Sequence, residues 1–157
     1  MDGMPDSTGS RLRTAGLRVT KPRLAVLEVL DEAGAGREHL TVAVVARRAR
    51  DRLGSLSTQA VYDCLDALTG AGVVRRIETA GHPARYETRV GDNHHHLICR
   101  SCGLTTDVDC GVGAMPCLLP SSANGYVVDE AEVTFWGLCP GCAADPVRAA
   151  VSTAATH

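Results

Sequence analysis

Leu24, Leu27 and Leu30 recur at helical spacing, and Val26 and Val29 widen the same apolar stripe. Thr20 is placed to cap that helix, with Lys21-Pro22 in its first turn and Ala33-Gly34-Ala35-Gly36 at its end. A second helical stripe runs from Leu40 to Leu53, begun near Thr41 and stopped by Gly54. It turns Val42, Val45, Ala46, Ala49 and Leu53 inward and leaves Arg47, Arg48, Arg50 and Arg52 mainly on other, solvated faces. Ser57 opens a third helix, from Thr58 to about Thr69, with Val61, Cys64, Leu65 and Leu68 buried. Thr58, Gln59, Tyr62, Asp63 and Asp66 are left outward, and Gly70 and Gly72 end the helix. The pattern then turns strand-like. Val73 to Glu78 reads as a strand, Gly81-His82-Pro83 as a turn, and Ala84 to Thr88 as the return strand. Helices followed by a two-stranded hairpin are the ingredients of a winged helix-turn-helix.

Gly91-Asp92 marks a boundary. Beyond it, strands are expected at 94–98, about 104–109 and about 126–136, around a Gly- and Pro-broken segment at 110–125 that holds Cys110 and Cys117. The first ten residues read as a loose lead-in, and the Ala/Thr-rich tail as flexible or weakly helical. The fold class expected is α+β: a winged-helix domain at 1–90, a small metal-binding α/β domain at 91–145, and a tail at 146–157.

Charge sharpens this division. Residues 1–90 hold 14 of the 16 Lys+Arg and 11 of the 18 Asp+Glu, a net of +3; residues 91–157 hold 2 and 7, a net of −5. The front suits a polyanion and the back suits cations. Arg11, Arg13, Arg18, Lys21 and Arg23 form a basic arm, and they are the candidate phosphate contacts. No apolar run is long enough for a membrane span and no signal peptide is visible, so a cytoplasmic protein with no membrane partner is expected. In that compartment seven cysteines argue for metal or redox chemistry over disulfides.

Four of the seven form two C-x-x-C knuckles, Cys99/Cys102 and Cys139/Cys142, the spacing of a tetrahedral structural zinc site. A redox reading of Trp136-Gly137-Leu138-Cys139-Pro140-Gly141-Cys142 would need a long helix after Cys139 and no second knuckle. A zinc deaminase fails on sequence, because Leu97-Ile98 follows His96 and Leu138 precedes Cys139. Cys64, on an apolar helix face, reads as a core thiol. Just before the first knuckle stand His94, His95 and His96. In a strand His94 and His96 share a face and His95 points away, and Asp107 lies on the next strand. A His and carboxylate set suits Fe(II), Mn(II), Zn(II) or Ni(II), and ligand type alone does not choose among them.

These residues resemble the ferric uptake regulators over about residues 11–142. The resemblance rests on Ser57-x-x-Ala60-Val61-Tyr62, Arg85-Tyr86-Glu87, the run from His94 to Gly103, Asp107 and the terminal C-x-x-C. It implies a homodimeric, metal-dependent repressor of double-stranded operator DNA, with no enzymatic activity and no small molecule beyond metal and peroxide. It implies structural Zn(2+) at the four cysteines. It also implies a regulatory Fe(2+) or Mn(2+) held by His39, Glu87, His94, His96 and Asp107, which bridges a hinge near Gly91-Asp92. Tyr62, Gln59, Thr58 and Ser57 would face DNA, with Asp63 where many relatives have Arg. Ala131 and Glu132 occupy the strand where some relatives carry a third metal site, so none is expected. The chain looks most like the oxidative-stress branch of high-GC bacteria, whose members repress catalase-peroxidase genes. There Fe(II) and peroxide would oxidise His94 or His96 and release the operator. A zinc- or nickel-responsive repressor is the alternative within the family.

Overall fold

A computed structural model of the chain describes residues 7–79, 81–88, 94–109, 118–129 and 131–154. It divides into two compact units, Met1–Val90 and Gly91–His157. The Gly91-Asp92 boundary, Cys110 and Cys117 lie outside the described residues.

In the first unit the elements run α1 (Thr8–Thr14), α2 (Lys21–Ala35), β1 (Leu40–Thr41), α3 (Val42–Leu53), α4 (Thr58–Gly70), β2 (Arg75–Thr79) and β3 (His82–Glu87). Thr20 and Ser57 cap α2 and α4 as expected, accepting from the backbone N–H of Arg23 and Ala60. Gly54, at φ 77°, ends α3 in a conformation that costs a residue with a side chain more. The stripes of α2, α3 and α4 meet in one core that includes Leu27, Leu30, Val45, Leu65 and Leu68 and takes in Tyr86 from β3. Helix α2 packs on α3 and α4, and β2 and β3 form an antiparallel wing with β1 on the outer edge of β3. This is the winged helix-turn-helix of the α+β class.

The lead-in differs from expectation. Residues 8–14 form α1, because Ser7 caps it through the N–H of Ser10 and Leu12 anchors it in the core. The helix is too short for a periodic stripe to announce it. The wing is also tighter than its turn residues suggest: β3 already begins at His82, paired with Thr79.

The second unit holds β4 (His94–Cys99), β5 (Thr105–Asp109), β6 (Thr134–Gly137), α5 (Pro140–Ala143) and α6 (Pro146–Ala154). Its sheet order is β5-β4-β6, with β4 antiparallel to β5 and parallel to β6. The last strand is shorter than the 126–136 run expected. Tyr126 and Val127 are exposed outside it, and among the described residues of that run only Thr134–Gly137 reaches the edge of β4. The tail, expected to be flexible or weakly helical, forms α6, because Asp145 caps it, accepting from Val147 N at 3.0 Å, with Pro146 in the first turn.

Candidate metal centres and DNA-facing surface

Strand parity places His94 and His96 on one face of β4, their ring centroids 5.1 Å apart. Antiparallel pairing puts Asp107 directly opposite His96. Asp107 Oδ1 stands 3.6 Å from His94 Nε2 and 3.7 Å from His96 Nε2, and all three side chains are buried. These separations are too long for good hydrogen bonds. Donors sharing one divalent ion at ordinary bond lengths lie roughly 3.0–3.5 Å apart, so each histidine stands slightly beyond that separation from the Asp107 carboxylate. His95 points to the other face, yet it is buried too, with its ring edge-on to Phe135 at 6.4 Å.

In the first unit, β1 pairs Leu40 with Tyr86, and one step further along this register His39 meets Glu87. His39 Nε2 and Glu87 Oε2 are 2.7 Å apart, a hydrogen bond in which the imidazole N–H donates, and both side chains are buried. Arg85 Nη1 donates to the His39 carbonyl at 2.9 Å and steadies that corner of the chain. A buried carboxylate–imidazole pair offers hard oxygen and borderline nitrogen donors to the same class of divalent ion.

The four-cysteine set lies wholly in the second unit. Cys99 ends β4 and Cys102 lies in the turn to β5, which Gly103 completes at φ 75° by donating its N–H to the Cys99 carbonyl. Cys139 occupies the N-cap position of the short α5 and Cys142 lies within it. The four sulfurs all lie within 4.8 Å of one another, and Cys102 Sγ and Cys139 Sγ are 3.7 Å apart. A tetrahedron with zinc–sulfur bonds of about 2.3 Å has edges of about 3.8 Å, so the donor set fits zinc. A disulfide would need about 2.05 Å. Burial pushes the Cys99 thiol up, but the backbone N–H groups of Cys102, Cys139 and Ser101 outweigh it and hold the thiol down at about 6. At Cys102 the N–H of Leu104 lowers the value, yet burial and the neighbouring thiols prevail and push it up to about 11. One sulfur in the cluster ionises readily and the next resists, which is the electrostatic problem that a divalent cation resolves. Helix α5, four residues long, is not the long helix that a thioredoxin-type motif requires.

On α4, Tyr62 is exposed. Gln59 is exposed too, and its amide donates to Asp63 Oδ1 at 2.9 Å. Ser57 Oγ is occupied in capping α4, and Thr58 Oγ1 accepts from Arg50 Nη2 at 2.7 Å. Arg50, read from sequence as solvated, also donates to the Leu56 carbonyl at 2.6 Å and ties the turn before α4. Periodicity tells which face of α3 it lies on, and the reach of its side chain is a tertiary fact. Within the basic arm, Arg11 is engaged by Asp31 at 2.6 Å and Arg23 donates to the Arg18 carbonyl, while Arg13, Arg18 and Lys21 are exposed. Sequence reasoning missed Arg148, which donates to Cys142 Sγ at 3.6 Å. The Asp145-Pro146 pair is the signal from which its helix could have been found.

Among known proteins, the model of the ferric uptake regulator family matches residues 14–112. The transcriptional regulator FurA of Mycobacterium tuberculosis is 54% identical over 142 residues, covering 90% of this chain and 93% of that protein. Ferric uptake regulation protein 1 of Mycolicibacterium fortuitum is 55% identical over 135 residues, covering 86% of this chain and 80% of that protein. Among solved structures, the Vibrio cholerae ferric uptake regulator superposes with a TM-score of 0.62 at 25% identity, over 83% of this chain and 98% of that one.

Proposed function

Because the chain belongs to the ferric uptake regulator family, a family of transcriptional regulators rather than enzymes, we propose that it is a dimeric repressor whose corepressor is Fe(II) or Mn(II) and which peroxide inactivates. The observation that carries this reading is the convergence of His94, His96 and Asp107 across two paired strands of a unit that follows a winged helix. His39 and Glu87 of the first unit complete the ligand set. One ion bound by both sets favours the arrangement of the two units that fits an operator, and it does so only to the extent that it binds that arrangement more tightly. Zinc at Cys99, Cys102, Cys139 and Cys142 is structural.

Each residue has a separate task. Asp107 supplies the charge that holds a divalent cation, and His94 and His96 orient it. Glu87 does the same from β3, with His39 beside it. Ferrous iron, when bound, supplies one-electron chemistry toward peroxide that Mn(II) does not. The imidazole of His94 or His96 then gains one peroxide oxygen at a ring carbon, the other oxygen leaves as water, and the ring no longer binds the cation. Leu97 and Phe135, paired across β4 and β6 and exposed, are apolar surface suited to a second copy of the chain. No helix among the described residues is long and apolar enough to cross a membrane.

Mass spectrometry of the tryptic peptide 90–100 tests the signal. With Fe(II) loaded and a low dose of peroxide, a gain of one oxygen on His94 or His96 should accompany loss of operator binding, and the Mn(II) protein should remain unmodified. An unmodified peptide from the iron protein, with operator binding intact, would eliminate peroxide sensing and leave a sensor of metal availability.

On the DNA side, Tyr62, Gln59, Thr58 and Ser57 lie on or next to the helix that would enter the major groove, and Arg11, Arg13, Arg18, Lys21 and Arg23 would meet phosphates. Arg13→Ala and Arg18→Ala should weaken binding evenly across operator variants and lower the salt slope by about 1 per subunit. Asp63→Ala should instead change which base is preferred, because it frees the Gln59 amide that Asp63 holds. Salt titrations on a panel of operator variants separate the two behaviours. A slope unchanged in both arginine variants would remove the basic arm from the interface.

A further inference from the structure

The four-cysteine centre has a neighbour outside its own motif. Helix α6 begins directly after the second knuckle, and Asp145 caps it, accepting from Val147 N at 3.0 Å and Arg148 N at 3.4 Å. The other carboxylate oxygen of Asp145 lies 3.5 Å from Arg148 Nε. The guanidinium is thereby turned back over the knuckle, and its Nη1 reaches Cys142 Sγ at 3.6 Å. Cys142 itself is buried.

The charge balance makes this contact matter. Four thiolates around one divalent cation leave two negative charges in excess, in a stretch where residues 91–157 hold seven Asp+Glu and only two Arg. One of those two, Arg100, lies over the Trp136 ring at 5.4 Å. Arg148 directs its guanidinium at one of these sulfurs. A charged N–H donor on a metal-bound sulfur draws off electron density, lowers its basicity and fixes the orientation of the ligand.

We propose that Arg148 is a positioning residue for the structural metal: held by Asp145, it donates to Cys142 Sγ and slows the loss of zinc from the four cysteines. This rests on the zinc reading of the centre. Its consequence is that α6 acts as a clasp on the second knuckle.

Full-length zinc-loaded protein tests it, with the rate of zinc transfer to an excess of chromophoric chelator as the readout. Arg148→Ala should release zinc roughly tenfold faster, the lower end of what loss of such a supporting contact costs. Arg148→Lys should fall between the two, since it keeps the charge without the planar fork. Asp145→Asn keeps a good helix cap and loses the carboxylate that turns the guanidinium, so it should also release faster. Ala149→Gly loosens α6 without touching the contact and controls for simple fraying. Release from Arg148→Ala at the wild-type rate would overturn the proposal, and so would Ala149→Gly matching Arg148→Ala. The zinc content of the wild type, measured first, separates this failure from that of the underlying reading. About one ion per chain keeps the four-cysteine zinc site, whereas no zinc removes the site and the proposal together.

Discussion

Cys99→Ser should leave the second unit without zinc and without a stable fold, while the first unit stays folded. A serine hydroxyl does not ionise near neutral pH, so three sulfurs remain where zinc takes four. Cys99 is the most telling of the four, because the surrounding backbone N–H groups already favour its thiolate. The size of the effect follows from how little else holds this unit together. Among its described residues the buried apolar side chains are Ile98, Cys99 and Cys142; the rest of its interior is polar, with His94, His95, His96, Thr105 and Asp107. Structural zinc is worth about 10–16 kcal/mol in small zinc-finger peptides, as much as the whole stability of an ordinary domain. The first unit has its own core of Leu27, Leu30, Leu65, Leu68 and Tyr86 and does not depend on the metal. Limited proteolysis should therefore degrade residues after about 90 and spare a fragment near 1–90, with helical circular dichroism largely kept. A protease-resistant second unit in the metal-free variant would show that the fold does not rest on these sulfurs.

His96→Ala and Asp107→Ala should each abolish the response of operator binding to Mn(II) without unfolding either unit. In wild type, Mn(II) should tighten operator binding by roughly 10–100-fold, the ordinary range of a coupling between two sites. Each variant should bind as weakly as chelator-treated wild type, whatever the Mn(II) concentration. The double variant should be no weaker than either single one, because residues that act as one ligand set do not add. Linkage supplies an independent check: operator DNA must tighten Mn(II) binding by the same factor. Mn(II) avoids the oxidation that Fe(II) would bring and so isolates the coupling. Retention of Mn(II)-dependent tightening in both variants would remove His96 and Asp107 from the regulatory site.

Much of this was legible from residue order. The stripes of α2, α3 and α4 were visible because each buries one face over three turns or more, and the wing because its period differs. The two knuckles were visible because zinc chemistry demands thiolates at close spacing within a turn. His94 and His96 could be assigned to one face because strand parity is a local property. Elements whose signal is a cap rather than a stripe were harder to see. α1 rests on Ser7 and Leu12, α6 rests on Asp145 and Pro146, and neither is long enough for a period to repeat convincingly. The reach from 126 to 136 looked like one strand because Tyr126, Val127 and Val128 are good strand formers. Among its described residues only Thr134–Gly137 pairs with a neighbouring strand.

The sequence by itself determined the α+β class, the helix-turn-helix with its wing, the four sulfurs and the histidine face, because each follows from neighbours within a turn or a strand. The tertiary structure alone decided which donors meet. The register of β1 against β3 brings His39 to Glu87. The register of β4 against β5 brings Asp107 to His96. Long side chains on helices chose their own partners, Arg50 at the turn before α4 and Arg148 at Cys142. Register and side-chain reach depend on how whole elements pack, and spacing along the chain carries no record of that.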